Sequence, residues 1–173
     1  MIKSEKKVKE FAALLAKDNN ILISEAIELL RNEEPFEGAI GLLTSFYDKT
    51  EDCSVRKTIQ RFMNDLKDQS VSKEIMTEIR KPFNQATINM LISSCWQSGL
   101  DYSEYTSDLV EIFLRGDYVT ALECLTVLEE SVHDMSMSER QEIVNLIEAY
   151  PLPPADEKKG LRHELISLFK KAY

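Results

Sequence analysis

Apolar residues return every third or fourth position along most of the chain, and short polar breaks interrupt that rhythm at intervals. A 3.6-residue period gathers such positions on one face, so each run predicts an amphipathic helix. The first runs from near Ser4 to Lys17 on Val8, Phe11, Leu14 and Leu15, and Asp18-Asn19-Asn20 ends it. The second covers Ile21 to Asn32 on Ile23, Ile27 and Leu30. Pro35 opens the third, where a first-turn N–H has no helical partner to lose, and the helix reaches about Lys49. Asp52 is placed to cap the fourth, which carries Val55, Ile59, Phe62, Met63 and Leu66. A short fifth, from Ser70 or Ser72 to Arg80, stops at Lys81-Pro82, because proline disfavours helical geometry in the residue before it.

The sixth helix, Asn84 to Gln97, is the most apolar and ends at Ser98-Gly99 in the usual glycine-terminated manner. The seventh spans Ser103 to Leu114 and the eighth Asp117 to about Ser131. Ser138-Glu-Arg-Gln141 has the form of a capping box and starts the ninth. Pro151, Pro153 and Pro154 make a stiff link to the tenth, Asp156 to about Ala172. No period-two alternation lasts long enough to predict a strand.

Within this rhythm a small–aliphatic–x–x–apolar step recurs. It reads Ala26-Ile27…Leu30, Thr58-Ile59…Phe62, Thr87-Ile88…Leu91, Ala121-Leu122…Leu125 and, more loosely, Gly160-Leu161…Glu164-Leu165. The aliphatic positions are 32, 29, 34 and 39 residues apart, the range of helix-pair arrays. The expectation is an all-α chain forming one helical-repeat domain over 1–173, an α–α superhelix of about five antiparallel pairs: 4–32, 35–67, 70–98, 101–131 and 137–172. The recurring step would be core throughout.

Two resemblances follow from the same residues. Leu42 to Phe62, with Asp52 in the turn and Val55-Arg56 opening the next helix, resembles a HEAT repeat. That likeness implies a divergent HEAT-like (ARM-type) solenoid. Gly116-Asp117-Tyr118…Ala121-Leu122 is similar to the glycine–tyrosine–alanine step of tetratricopeptide repeats, and Phe36…Ala39 and Phe83…Ala86 echo part of it. The alanines at 39, 86 and 121 are 47 and 35 apart, so that 34-residue period fails once.

Composition agrees with a folded helical chain. With 173 residues, 43% hydrophobic and 29% charged, it is far from the disordered corner of sequence space. Five glycines and five prolines are too few for the many tight turns of an all-β fold. Cys53, Cys95 and Cys124 are odd in number and widely spaced, which fits buried thiols in a reducing compartment better than a disulfide framework. The longest apolar run, Phe11 to Ala16, is far short of the roughly 20 residues a bilayer span needs. The expectation is therefore a cytoplasmic protein with no membrane segment.

Charge is uneven beneath a net value of −9. Between Gly99 and Tyr150 twelve acidic residues face only Arg115 and Arg140, a local −10, whereas residues 1–17 carry +3 and the last sixteen +4. Like charges within about 8 Å reinforce one another at physiological salt and steer a basic partner. The acidic stretch also gathers aromatics, so Trp96, Asp101, Tyr102, Glu104, Tyr105, Asp108 and Tyr118 form the candidate partner-binding set.

Catalytic and metal signals are weak. His133 adjoins Asp134, His163 precedes Glu164, and the adjacent pairs Glu33-Glu34 and Glu129-Glu130 diverge on a helix rather than converging on one ion. No phosphate-binding, hydrolase or HExxH motif occurs. The HEAT resemblance admits a DNA-repair glycosylase-type enzyme, but Trp96 is the single tryptophan and its surroundings lack arginine. Nucleic acid is disfavoured by the acidic balance. The sequence thus points to a non-enzymatic interaction module with no cofactor or metal, binding a protein or basic peptide; an acidic inhibitor or immunity-type protein is the neighbouring reading.

Overall fold

In a computed structural model of the chain, residues 4–17, 19–33, 35–133, 135–151, 153 and 156–171 are described. Expectations that fall on Asp18, Glu34, Asp134, Pro154 and Ala172 lie outside them. The fold is all-helical: α1 Glu5–Leu15, α2 Asn20–Leu30, α3 Ala39–Lys49, α4 Cys53–Asn64, α5 Ser72–Ile79, α6 Gln85–Ser98, α7 Thr106–Arg115, α8 Tyr118–Ser131, α9 Met137–Ala149 and α10 Lys159–Lys170. Single 3-10 turns, Gln69–Val71 and Ser103–Tyr105, lead into α5 and α7. No β-strand occurs among the described residues, and no helix there is long and apolar enough to cross a membrane. The chain divides into two compact units, Met1–Leu100 and Asp101–Tyr173.

In the first unit, α2 packs on α4 and α4 on α6, while α1 packs on α3 and α3 on α5. Even and odd helices thus form two layers. Ile27, Leu43, Ile59, Ile75 and Leu91 are fully buried among them. Carboxylates hold the starts of α3, α4 and α6, where unpaired N–H groups and the dipole favour negative charge. Asp52 accepts the Val55 N–H at 2.9 Å to start α4, and its other oxygen accepts from the Asn20 amide at 2.8 Å. Two starts are held from another helix: Asp48 of α3 accepts the Asn84 N–H and the Thr87 hydroxyl at the head of α6. Glu74 of α5 accepts the N–H groups of Gly38 and Gly41 at the head of α3.

The third helix begins later than the proline suggests. Pro35 lies outside it, and Gly38, at φ 97°, provides the left-handed turn that starts α3 at Ala39. The capping box of α9 sits two residues earlier than Ser138 and Gln141: Ser136 and Glu139 close it reciprocally. Cys95 and Cys124 are buried as expected, but Cys53 is exposed in the first turn of α4.

In the second unit cations hold the helix ends as well. Here α7 packs on α8 and α9, and α10 packs on α8 and α9. Lys158 Nζ donates to the carbonyls of Leu114 and Gly116 at 2.8 and 2.7 Å, closing the end of α7. Arg140, 5% exposed, donates to Val132, His133, Met135 and Lys171, closing the end of α8. Arg162 donates to Ile147 and Glu148 at the end of α9. Three successive helix C-termini, where unpaired carbonyls and the dipole favour positive charge, are thus each held by a cation from a later element.

Gly116 is a tight point in this unit. Its backbone, at φ −72° and ψ 173°, suits any residue, but a Cβ there would lie 2.5 Å from Thr120 Cγ2 and 3.0 Å from the Ile112 carbonyl oxygen. Thr120 is 1% exposed and its hydroxyl is bonded to Asp117, so it has no room to yield. Gly116→Ala is expected to lower stability by about 1–3 kcal/mol. Gly160→Ala, with open space around its Cβ, should instead gain up to about 1 kcal/mol from helix propensity. Urea unfolding of both variants checks the pair, and equal effects would contradict the close approach.

Candidate functional site

The start of α8 is fixed by Asp117, whose carboxylate accepts the Thr120 N–H at 2.8 Å and the Thr120 hydroxyl at 2.7 Å. These bonds, the backbone one first, hold its carboxyl below the usual carboxylate range, and nearby Lys158 adds to the effect. Thr120, Ala121, Cys124, Leu125, Val127 and Leu128 then face inward. Eight of the eleven positions from 118 to 128 are apolar or aromatic, more than one buried stripe can take. The surplus lies on the surface: Tyr118 is 39% exposed, Val119 48% and Leu122 44%. The same outward face continues through half-buried Glu123 and Thr126 to exposed Glu129 and Glu130.

Helix α8 itself carries no lysine or arginine. Of the two arginines in the acidic stretch, Arg140 is buried on backbone carbonyls and Arg115 pairs with Glu111 at 3.4 Å on α7. An apolar ridge flanked by carboxylates is therefore left without neutralising bases on its own helix.

The 3-10 turn Ser103–Tyr105 packs on α7 and α8 and brings part of the expected set beside this helix. Exposed Asp101 accepts the Ser103 N–H at 2.8 Å and so shapes the turn. Glu104 is exposed, while Tyr105 and Asp108 are half-buried. Tyr102 is a core residue, 1% exposed, with its ring 6.3 Å from that of Tyr105. Trp96 is 43% exposed on α6 and belongs to the first unit, whereas the rest of the set belongs to the second. Val119 and Leu122 were not part of the expected set; the excess of apolar positions on α8 is the signal that marks them.

Comparison with family models, with curated proteins and with solved structures gave no match. Geometry alone carries the functional reading. Among the described residues no group of three or more histidine, cysteine, aspartate or glutamate side chains is gathered where a metal ion would sit. His133 is exposed at the end of α8 and His163 is exposed on α10.

Proposed function

We propose that this chain is a non-enzymatic interaction module of HEAT-like (ARM-type) helix pairs, which binds a basic peptide or protein surface through the exposed face of α8. The pairing of even with even and odd with odd helices in the first unit supports the repeat reading. So does the unit around Asp52, where Val55 is fully buried and the Arg56 guanidinium lies 4.3 Å from the centre of the Tyr47 ring.

The observation that carries the binding reading is the composition of one helix face: Tyr118, Val119 and Leu122 are exposed on the same side of α8 as the exposed Glu129 and Glu130, and the helix carries no lysine or arginine. Exposed apolar groups rimmed by charge mark interaction surfaces, and an acidic rim selects a basic partner. An amphipathic helix would lay its apolar side on the ridge and its lysines toward the glutamates.

A short amphipathic lysine–leucine peptide is a suitable probe. Reversing Glu104, Glu129 and Glu130 to Lys, all exposed positions, should weaken its binding at least about tenfold near 0.15 M salt, and added salt should weaken wild-type binding too. The glutamate–leucine counterpart should not bind. Equal titration curves for wild type and the triple variant would remove the site.

A further inference from the structure

The first unit contains a cavity of about 230 Å³ where the end of α2, the start of α3 and the end of α4 meet. Its origin is the segment Pro35–Gly38, which delays α3 until Ala39 and turns Phe36 inward, to 3% exposure. The Phe36 ring is fixed from behind by the edge of Phe11 at 6.2 Å, with Lys7 Nζ 5.7 Å from its centre. Phe36, Ile40, Phe62, Leu66 and Val71 form buried apolar walls, and half-buried Leu30 stands at the edge. Two of these walls are aromatic rings.

Charged residues surround the opening, and four of the five are already engaged by neighbouring groups. Arg31 pairs with Glu28 at 2.8 Å and with Asp65. Glu33 pairs with Lys7 at 2.8 Å, and Asp68 accepts the Ser70 N–H at 2.8 Å. Lys67 is exposed to solvent. A ligand bearing a charge would have to compete with these pairs or lose its own hydration against apolar walls, whereas an uncharged apolar molecule meets neither cost.

We infer that this cavity is a binding site for a small uncharged aromatic molecule. A dry apolar cavity of about 150 Å³ is known to hold benzene, so this one accommodates about nine non-hydrogen atoms, a benzene ring with a short alkyl arm. The Phe36 and Phe62 rings favour an aromatic guest by edge and offset contacts. This site belongs to the first unit and the α8 face to the second, so it stands whether or not that face binds a basic partner.

Propylbenzene is the probe, titrated into the full chain and followed by amide chemical shifts. Saturable shifts are expected within 30–40 and 62–71, with a dissociation constant on the order of 0.1–1 mM for a ligand of this size. 3-Phenylpropanoate and 3-phenylpropylamine should bind at least about tenfold more weakly. Ala39→Phe places a ring in the space and should abolish the shifts while the circular dichroism spectrum stays helical. If that variant unfolds, Leu30→Trp at the half-buried edge makes the same test. Absence of saturable shifts, shifts confined to other residues, undiminished binding by the filled variant, or equal binding of a charged analogue would each overturn the assignment.

Discussion

Replacing Arg140 with methionine is expected to destabilise the second unit by about 3–5 kcal/mol, a large share of the 5–15 kcal/mol that holds a typical domain. The guanidinium is 5% exposed and donates through Nε to Met135 and through its two terminal nitrogens to Lys171, Val132 and His133. Bonds from a charged donor contribute about 1.5–3 kcal/mol each, but carbonyls near the surface recover part of this from water when the donor is lost. Methionine preserves most of the apolar stem, so the change reads the loss of the donors rather than of volume. Arg140→Lys should recover only part of the loss, because one ammonium cannot span carbonyls from the end of α8, the approach to α9 and the end of α10. Urea unfolding followed by circular dichroism gives the magnitude. Amide exchange should quicken first at the end of α8 and the start of α9. A loss below about 1 kcal/mol would mean that the arginine is not the clasp its geometry describes.

The same residue ties stability to the surface. As a bare charge, Arg140 is one of two bases among fourteen ionisable acids and bases between Gly99 and Tyr150, histidine and tyrosine aside. Its burial removes it from the solvent-facing charge, and Arg115 is taken up by Glu111. The solvent-facing charge of this stretch is therefore more acidic than sequence counting implies. Internal capping of helix ends by cations and external acidity of the unit are two consequences of one distribution.

How far the fold was legible follows from what each signal sees. All ten helices among the described residues declare themselves through the apolar period, and the starts at Asp52 and Asp117 are read correctly because an aspartate before an amphipathic run has one strong use. The ambiguous starts are those with two eligible residues. Pro35 suits a first helical position, yet Gly38 provides the turn; Ser136 and Ser138 each have a glutamate or glutamine three residues on, and only packing chooses Ser136. Trans-capping by Glu74, Asp48, Lys158 and Arg140 joins positions far apart in sequence, so no local pattern announces it. The candidate site was legible in its charge and in Tyr118. It was not legible in Tyr102, because a tyrosine beside a turn suits core and surface equally, nor in the cavity, which arises from a loop's path.

Leu125→Ala should cost about 2–5 kcal/mol, and Leu122→Ala should change stability by no more than about 0.5 kcal/mol. The recurring small–aliphatic–x–x–apolar step treats both leucines as core, and in the second copy that reading holds, with Thr58, Ile59 and Phe62 all buried. In the fourth copy the step divides: Ala121 is fully buried and Leu125 is 5% exposed, but Leu122 is 44% exposed. On a helix, residue 122 is turned about 100° from 121, so burying Ala121, Cys124, Leu125 and Leu128 together carries Leu122 to the flank. Truncating Leu125 leaves a cavity among packed neighbours, whereas Leu122 keeps 44% of its surface in water and its truncation leaves no enclosed space. Thermal or urea unfolding of the two variants separates these cases. Equal losses would place Leu122 in the core and take away the apolar ridge on which the proposed partner surface depends. A silent Leu122→Ala that also weakens binding of the lysine–leucine peptide would assign that leucine to recognition rather than to folding.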